Sequence, residues 1–150
     1  MKITVIGCGY VGLSTGLALA YVGHHVTFVD VDEQKVQGLQ VGQAPFFEPS
    51  LTELLKITRE RCRFTTSYGE ALAETEVVFL AVGTPSTPAG HANLTYLFDA
   101  VNNLIKCSAE SLPTVVVKST VPVGTAKEIQ SVLIEQRPDA KTCTRPKLSF

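Results

Sequence analysis

The chain has no marked excess of either charge: 13 Lys and Arg against 14 Asp and Glu leave a net charge of −1, with a pI near 6.3. That balance gives no electrostatic case for nucleic acid or an anionic membrane, so a negative ligand has to be gripped locally. Long apolar stretches are missing as well. Residues 3 to 29 are broken by Gly, His and Thr, so neither a membrane span nor a signal peptide is expected. Cysteine is sparse, and Cys8, Cys62, Cys107 and Cys143 lie far apart without a Cys-x-x-Cys pair. That pattern suits a cytoplasmic protein with reduced thiols better than a disulfide or zinc scaffold. His24 and His25 have no neighbouring acid or thiol, and His91 falls in a Pro/Gly loop; none is assigned chemistry, and no metal site is expected. There is no internal repeat.

What is present is enough apolar sequence for one packed domain. Hydrophobic residues make up 45% and charged residues 18% of the 150 residues, and a chain of this length buries about 70% of its unfolded surface. The first turn, Ile6-Gly7-Cys8-Gly9-Tyr10-Val11-Gly12, is a Gly-x-Gly-x-x-Gly. It follows the β-branched run Lys2–Ile6 and opens a small-residue helical pattern over residues 10 to 22. Gly7 suits a tight turn, Gly9 a close approach of backbone amides to a pyrophosphate, and Gly12 close packing of helix on strand. The anion would sit on the helix N-terminus. A second run, His25–Val29, leads into Asp30, 18 positions after Gly12. Strand, glycine turn, helix, strand and acid together form a dinucleotide-binding fingerprint.

The acid selects the cofactor. A carboxylate at Asp30 can accept from both adenine-ribose hydroxyls, whereas the 2′-phosphate of NADP would be repelled and about 1.5–3 kcal/mol of charged hydrogen bonding lost. NAD is therefore expected. Asp32 reads as a helix N-cap, and Lys35 is placed either to reach the adenosine end or merely to face solvent.

Further along, Gly42–Pro49 is a loop, and Ser50-Leu51-Thr52-Glu53 reads as a capping box before a short helix with Leu54 and Leu55. Residues 62 to 66 suggest a third strand and 68 to 74 a helix. Glu76–Val82 is a continuous apolar run of the kind a parallel strand buried on both faces requires. It empties into Gly83–Gly90, at the carboxyl edge where open α/β sheets bind ligands. Leu94, Leu97, Val101, Leu104 and Ile105 mark an amphipathic helix. Pro113–Ser119 is a fifth strand, ending again in hydroxyls and glycine over 119 to 124. Thr125 with Glu128 reads as another capping box, followed by a helix with Ile129, Val132 and Leu133. The alternation predicts an α/β fold, a Rossmann-type doubly wound parallel sheet in three αβα layers. The expected domain covers residues 1–137, with 138–150 a divergent tail.

These motifs, with Glu48-Pro49, Val82-Gly83-Thr84-Pro85 and Lys118–Gly124 in this order and spacing, resemble the N-terminal domain of the UDP-glucose 6-dehydrogenase family. The GDP-mannose and UDP-N-acetyl-hexosamine dehydrogenases belong to the same group. Members oxidise the C6 alcohol of a nucleotide sugar to a carboxylate in two NAD-dependent steps. By motif position, the resemblance implies that Gly7, Cys8, Gly9, Tyr10, Val11 and Gly12 hold the pyrophosphate. It likewise implies that Asp30 and Lys35 hold the adenosine ribose, Val82, Gly83, Thr84, Pro85 and Ser86 the middle of the cofactor, and Ser119, Thr120 and Val121 the nicotinamide side. Thr120 also matches a catalytic threonine that helps hold the active-site water.

The sequence departs from the pattern after the last helix. The acidic segment that assists catalysis, the central helix through which members pair as homodimers, the nucleophilic cysteine loop and the UDP-binding domain have no counterpart; Cys143 lacks the glycine-rich context. The expectation is thus the NAD-binding part of a nucleotide-sugar dehydrogenase, cut short and not catalytic alone, with the nucleotide sugar bound only in a full-length enzyme. The alternative is a stand-alone NAD-binding or interaction module.

Overall fold

The computed structural model describes residues 1–108 and 112–136. The expected tail after residue 137 lies outside the described residues. Within them, five strands, β1 (Lys2–Ile6), β2 (His25–Val29), β3 (Cys62–Thr65), β4 (Val77–Leu80) and β5 (Thr114–Val117), form one sheet in the order β3-β2-β1-β4-β5. Every pairing is parallel. The helices are α1 (Tyr10–Tyr21), α2 (Glu33–Gln40), α3 (Leu51–Ile57), α4 (Tyr68–Leu72), α5 (Thr95–Cys107) and α6 (Thr125–Gln136). A single 3-10 turn at Arg59–Arg61, not expected from the sequence, leads into β3.

Alternation along the strands sorts the core onto two faces. Ile3, Val5, Val26 and Phe28 pack with Leu13 and Leu17 of α1, Leu39 of α2, and Leu51 and Leu55 of α3. Ile6, Val78, Leu80, Val115 and Val117 pack with Ala71 and Leu72 of α4, Leu97, Val101 and Leu104 of α5, and Ile129 and Leu133 of α6. The result is the three-layer, doubly wound arrangement that the sequence predicts. Val77 and Phe79 are only half-buried, so β4 is less enclosed than its apolar run suggests.

Buried polar groups are matched. Thr4, fully buried, donates its hydroxyl to the Ala71 carbonyl at 2.9 Å and lies 2.7 Å from the Thr75 hydroxyl. Among the described residues no buried side-chain nitrogen or oxygen lacks a partner, as a well-packed interior requires.

The capping expectations divide. Asp32 caps α2 by accepting from the Lys35 amide at 3.1 Å. Ser50 does not cap α3: its φ of 71° is left-handed and its side chain makes no cap bond, since capping needs the extended region at that position. In the preceding loop, the Glu48 carboxylate accepts from Ser14 on α1 at 3.3 Å. The second expected box fails differently. Thr125 is already the first residue of α6 and is buried, while the Gly124 carbonyl accepts the Lys127 and Glu128 amides at 2.9 and 3.2 Å. The helix therefore starts one residue earlier than a Thr125 cap would require, with Gly124 in the cap position.

Candidate functional site

The strand order reverses between β1 and β4, because β1 leads to β2 on one side of the sheet while β4 and β5 lie on the other. A crevice opens beyond the carboxyl ends at such a switch point. Four segments reach that edge in sheet order: Asp30 and α2 after β2, the glycine turn after β1, Val82–Ser86 after β4, and Ser119–Val121 after β5.

The glycine turn is defined by contacts that exclude a side chain. Gly7 has a φ of +104°, and a Cβ there would lie 2.5 Å from the Ala81 carbonyl oxygen, so the turn abuts the end of β4. Its amide donates to the Val29 carbonyl at 2.7 Å. At Gly12 an added Cβ would come within 1.8 Å of the Gly7 carbonyl oxygen. The close approach expected of Gly12 is therefore to the turn more than to the strand. Gly16 makes the helix-on-strand contact, since a Cβ there would lie 2.3 Å from the Phe28 ring. Sequence reasoning missed it because Phe28 is on the next strand. Gly9 has nothing within 4 Å of a notional Cβ, leaving the approach to the turn open.

Gly9 also occupies the N-cap of α1 without a capping side chain, and the first turn carries no acid. The first intrahelical bond runs from the Leu13 amide to the Gly9 carbonyl at 2.9 Å. The amides of Tyr10, Val11 and Gly12 thus open the helix, at the positive end of its dipole. Open space over Gly9 and uncapped donors beneath it fit a pyrophosphate. Tyr10 stacks on Phe46 with ring centroids 4.4 Å apart, which lays the 42–50 loop beside the start of the helix.

Asp30 is buried, with 9% of its surface exposed, and holds three donors. Oδ2 accepts from the Cys8 amide at 2.7 Å and from Lys35 Nζ at 2.9 Å, and Oδ1 accepts from the Asp32 amide at 3.0 Å. Lys35 is therefore paired with Asp30, not idle at the surface. A carboxylate offers roughly four acceptor positions, so capacity remains for a further hydroxyl.

The Cys8 thiol is fully buried. Burial first, then the nearby Asp30 charge, pushes its pKa up to about 12, with Lys35 opposing. It is a packed, protonated thiol, and thiolate is the reactive form. Iodoacetamide at neutral pH is expected to label exposed Cys107 and to spare Cys8 until the chain is denatured. Peptide mapping by mass spectrometry checks this.

On the other side of the crevice, the two loops are braced together. The Ser119 hydroxyl donates to the Val82 carbonyl at 2.7 Å, and the Thr84 hydroxyl donates to the Thr120 carbonyl at 2.8 Å. The 83–90 loop closes on itself through an antiparallel bridge between Ser86 and Ala92, and the Asn93 amide reaches the Pro85 carbonyl at 2.8 Å. Thr120 is exposed, Val121 half-buried and His91 exposed. Among the described residues no group of His, Cys, Asp and Glu could hold a metal ion.

The model of the UDP-glucose/GDP-mannose dehydrogenase family, NAD binding domain, matches residues 1–149. The chain belongs to this family. UDP-glucose 6-dehydrogenase YwqF of Bacillus subtilis is 47% identical over 137 residues, which cover 90% of this chain and 31% of that protein. The UDP-glucose 6-dehydrogenase of Rhizobium meliloti is 46% identical over 93% of this chain and 32% of its own length. Among solved structures, a ternary complex of GDP-mannose dehydrogenase from Pseudomonas aeruginosa superposes with a TM-score of 0.86 at 33% identity, over 91% of this chain and 32% of that one. This family domain thus spans about a third of the length of the curated relatives it matches. NAD is its cofactor, and no described helix is long and apolar enough to cross a membrane.

Proposed function

We propose that this NAD-binding domain serves a UDP-glucose 6-dehydrogenase, with residues 1–137 as the cofactor-binding unit. The observation that carries the reading is the alignment of four segments along one sheet edge, from Asp30 and Lys35 through the glycine turn to Val82–Ser86 and Ser119–Val121. In this reading the ribose lies against Asp30 and Lys35 and the pyrophosphate over Gly9 and the amides of α1. The middle of the cofactor meets the 82–86 loop, and the nicotinamide lies toward Ser119–Val121, where the exposed Thr120 hydroxyl can orient a water. Relatives at 47% and 46% identity are named for UDP-glucose, which favours UDP-glucose within the group. The nucleotide sugar, a homodimer and a cytoplasmic setting belong to the whole protein in this reading. Converting an alcohol to a carboxylate removes two hydrides, so two NAD are consumed per sugar.

Calorimetric titration with NAD and with NADP tests the ribose assignment. NAD is expected to bind at least about tenfold more tightly, because the 2′-phosphate meets a buried carboxylate instead of donating to it. Equal affinities, or no binding of either at millimolar ligand, would sink the role given to Asp30. For the substrate, a protein carrying this domain is expected to form UDP-glucuronate and two NADH per UDP-glucose. Preferential oxidation of GDP-mannose would move it to the neighbouring subgroup.

A further inference from the structure

We infer that Asp30 is a positioning residue for the glycine turn, in addition to selecting the ribose. The inference rests on the cofactor reading above but on a different bond. The Cys8 amide sits between two glycines, Gly7 and Gly9, and it donates to Asp30 Oδ2 at 2.7 Å in a buried position. One residue earlier, the Gly7 amide donates to the Val29 carbonyl at 2.7 Å. Two successive amides of the turn are thus pinned to two successive residues at the end of β2. The first bond uses a backbone carbonyl and does not depend on the side chain of residue 29 or 30. The second exists only because residue 30 carries an acceptor.

The carboxylate is itself held. Lys35 Nζ holds the same Oδ2 at 2.9 Å and the Asp32 amide holds Oδ1 at 3.0 Å, so both oxygens are fixed, and 9% exposure leaves water little access to stand in for the carboxylate. Removing the side chain would orphan a buried N–H in a segment where glycine imposes few backbone limits of its own. The amides that follow Cys8, at the start of α1, would then lose their fixed aim toward the pyrophosphate. Asp30 therefore contributes to diphosphate affinity without touching the diphosphate.

The test separates acceptor geometry from ribose recognition by using ADP and 2′,3′-dideoxy-ADP, which keeps the diphosphate and lacks both hydroxyls. With Asp30→Ala, affinity for dideoxy-ADP is expected to fall about tenfold, the scale of one unsatisfied buried amide. Hydrogen exchange at the Cys8 amide of the ligand-free chain is expected to accelerate at least as much. Asp30→Asn retains one carbonyl acceptor, which can keep the Cys8 amide and Lys35 bonds while its NH2 gives up the Asp32 bond at Oδ1. It should therefore keep the Cys8 amide protected and dideoxy-ADP affinity within about threefold of wild type. Unchanged dideoxy-ADP affinity and unchanged Cys8 exchange in Asp30→Ala would overturn the inference while leaving the ribose role intact. Failure of the wild-type chain to bind ADP at all would instead remove the cofactor reading. Should Asp30→Ala not fold, Asp30→Asn decides alone: an exposed Cys8 amide with undiminished dideoxy-ADP affinity, or a protected amide with a tenfold loss, overturns the inference, whereas protection and affinity kept or lost together support it.

Discussion

Replacing Gly12 by alanine is expected to lower the melting temperature by about 10 °C, the consequence of roughly 3 kcal/mol of overpacking in a domain of this size. The added methyl would lie 1.8 Å from the Gly7 carbonyl oxygen and 3.0 Å from its carbon. Both are backbone atoms, so no rotamer change can relieve the contact. The turn cannot retreat, because its amides are tied to Val29 and Asp30. Nor can the helix slide outward freely, because Leu13 and Leu17 are fully buried. Alanine gains about 1 kcal/mol over glycine in helix propensity, and the clash outweighs it. Calorimetric melting of the ligand-free chain decides the matter. A melting temperature within about 2 °C of wild type would mean that α1 does not approach the turn this closely.

What could be read from sequence and what could not divides along the range of the interaction. The strands follow from short β-branched runs, α1 from its run of small and apolar residues, and α5 from apolar residues at helical spacing, because those signals lie within one element. The glycine turn is legible for the same reason: its three glycines act within six residues. Capping shows the limit. Ser50-Leu51-Thr52-Glu53 and Ser67-Tyr68-Gly69-Glu70 carry the same Ser-x-x-Glu pattern, yet only Ser67 caps, accepting from the Glu70 amide at 3.3 Å. The difference lies in one dihedral pair. Ser67 has φ −90° and ψ 113°, whereas Ser50 has φ 71° and ψ −9°. Asp30 illustrates the same limit at longer range. Its position follows from spacing, but its bond to an amide 22 residues earlier depends on β1 and β2 lying side by side. The Ser119–Val82 and Thr84–Thr120 braces join residues 37 and 36 positions apart, and nothing local announces them.

Substituting Gly9 by valine should give the opposite pattern to Gly12: an unchanged fold with a cofactor site that no longer closes on its ligand. A Cβ at residue 9 meets nothing within 4 Å, and φ −82° with ψ −169° lies in the extended region open to β-branched residues. Ligand-free stability should therefore stay within about 0.5 kcal/mol of wild type. In the proposed reading the same empty space is where the pyrophosphate descends to reach the amides of Tyr10, Val11 and Gly12. An isopropyl group there holds the phosphates off the helix N-terminus, and overpacking of about 1–3 kcal/mol lowers NAD affinity by roughly 10- to 100-fold. Melting without ligand and calorimetric titration with NAD measure the two halves separately. Undiminished NAD affinity would show that the pyrophosphate does not pass over Gly9. A large fall in melting temperature would show instead that the space is needed by the protein itself. If both expectations hold, the three fingerprint glycines have separable physical duties, with Gly7 and Gly12 required for the turn to exist and Gly9 required for it to bind.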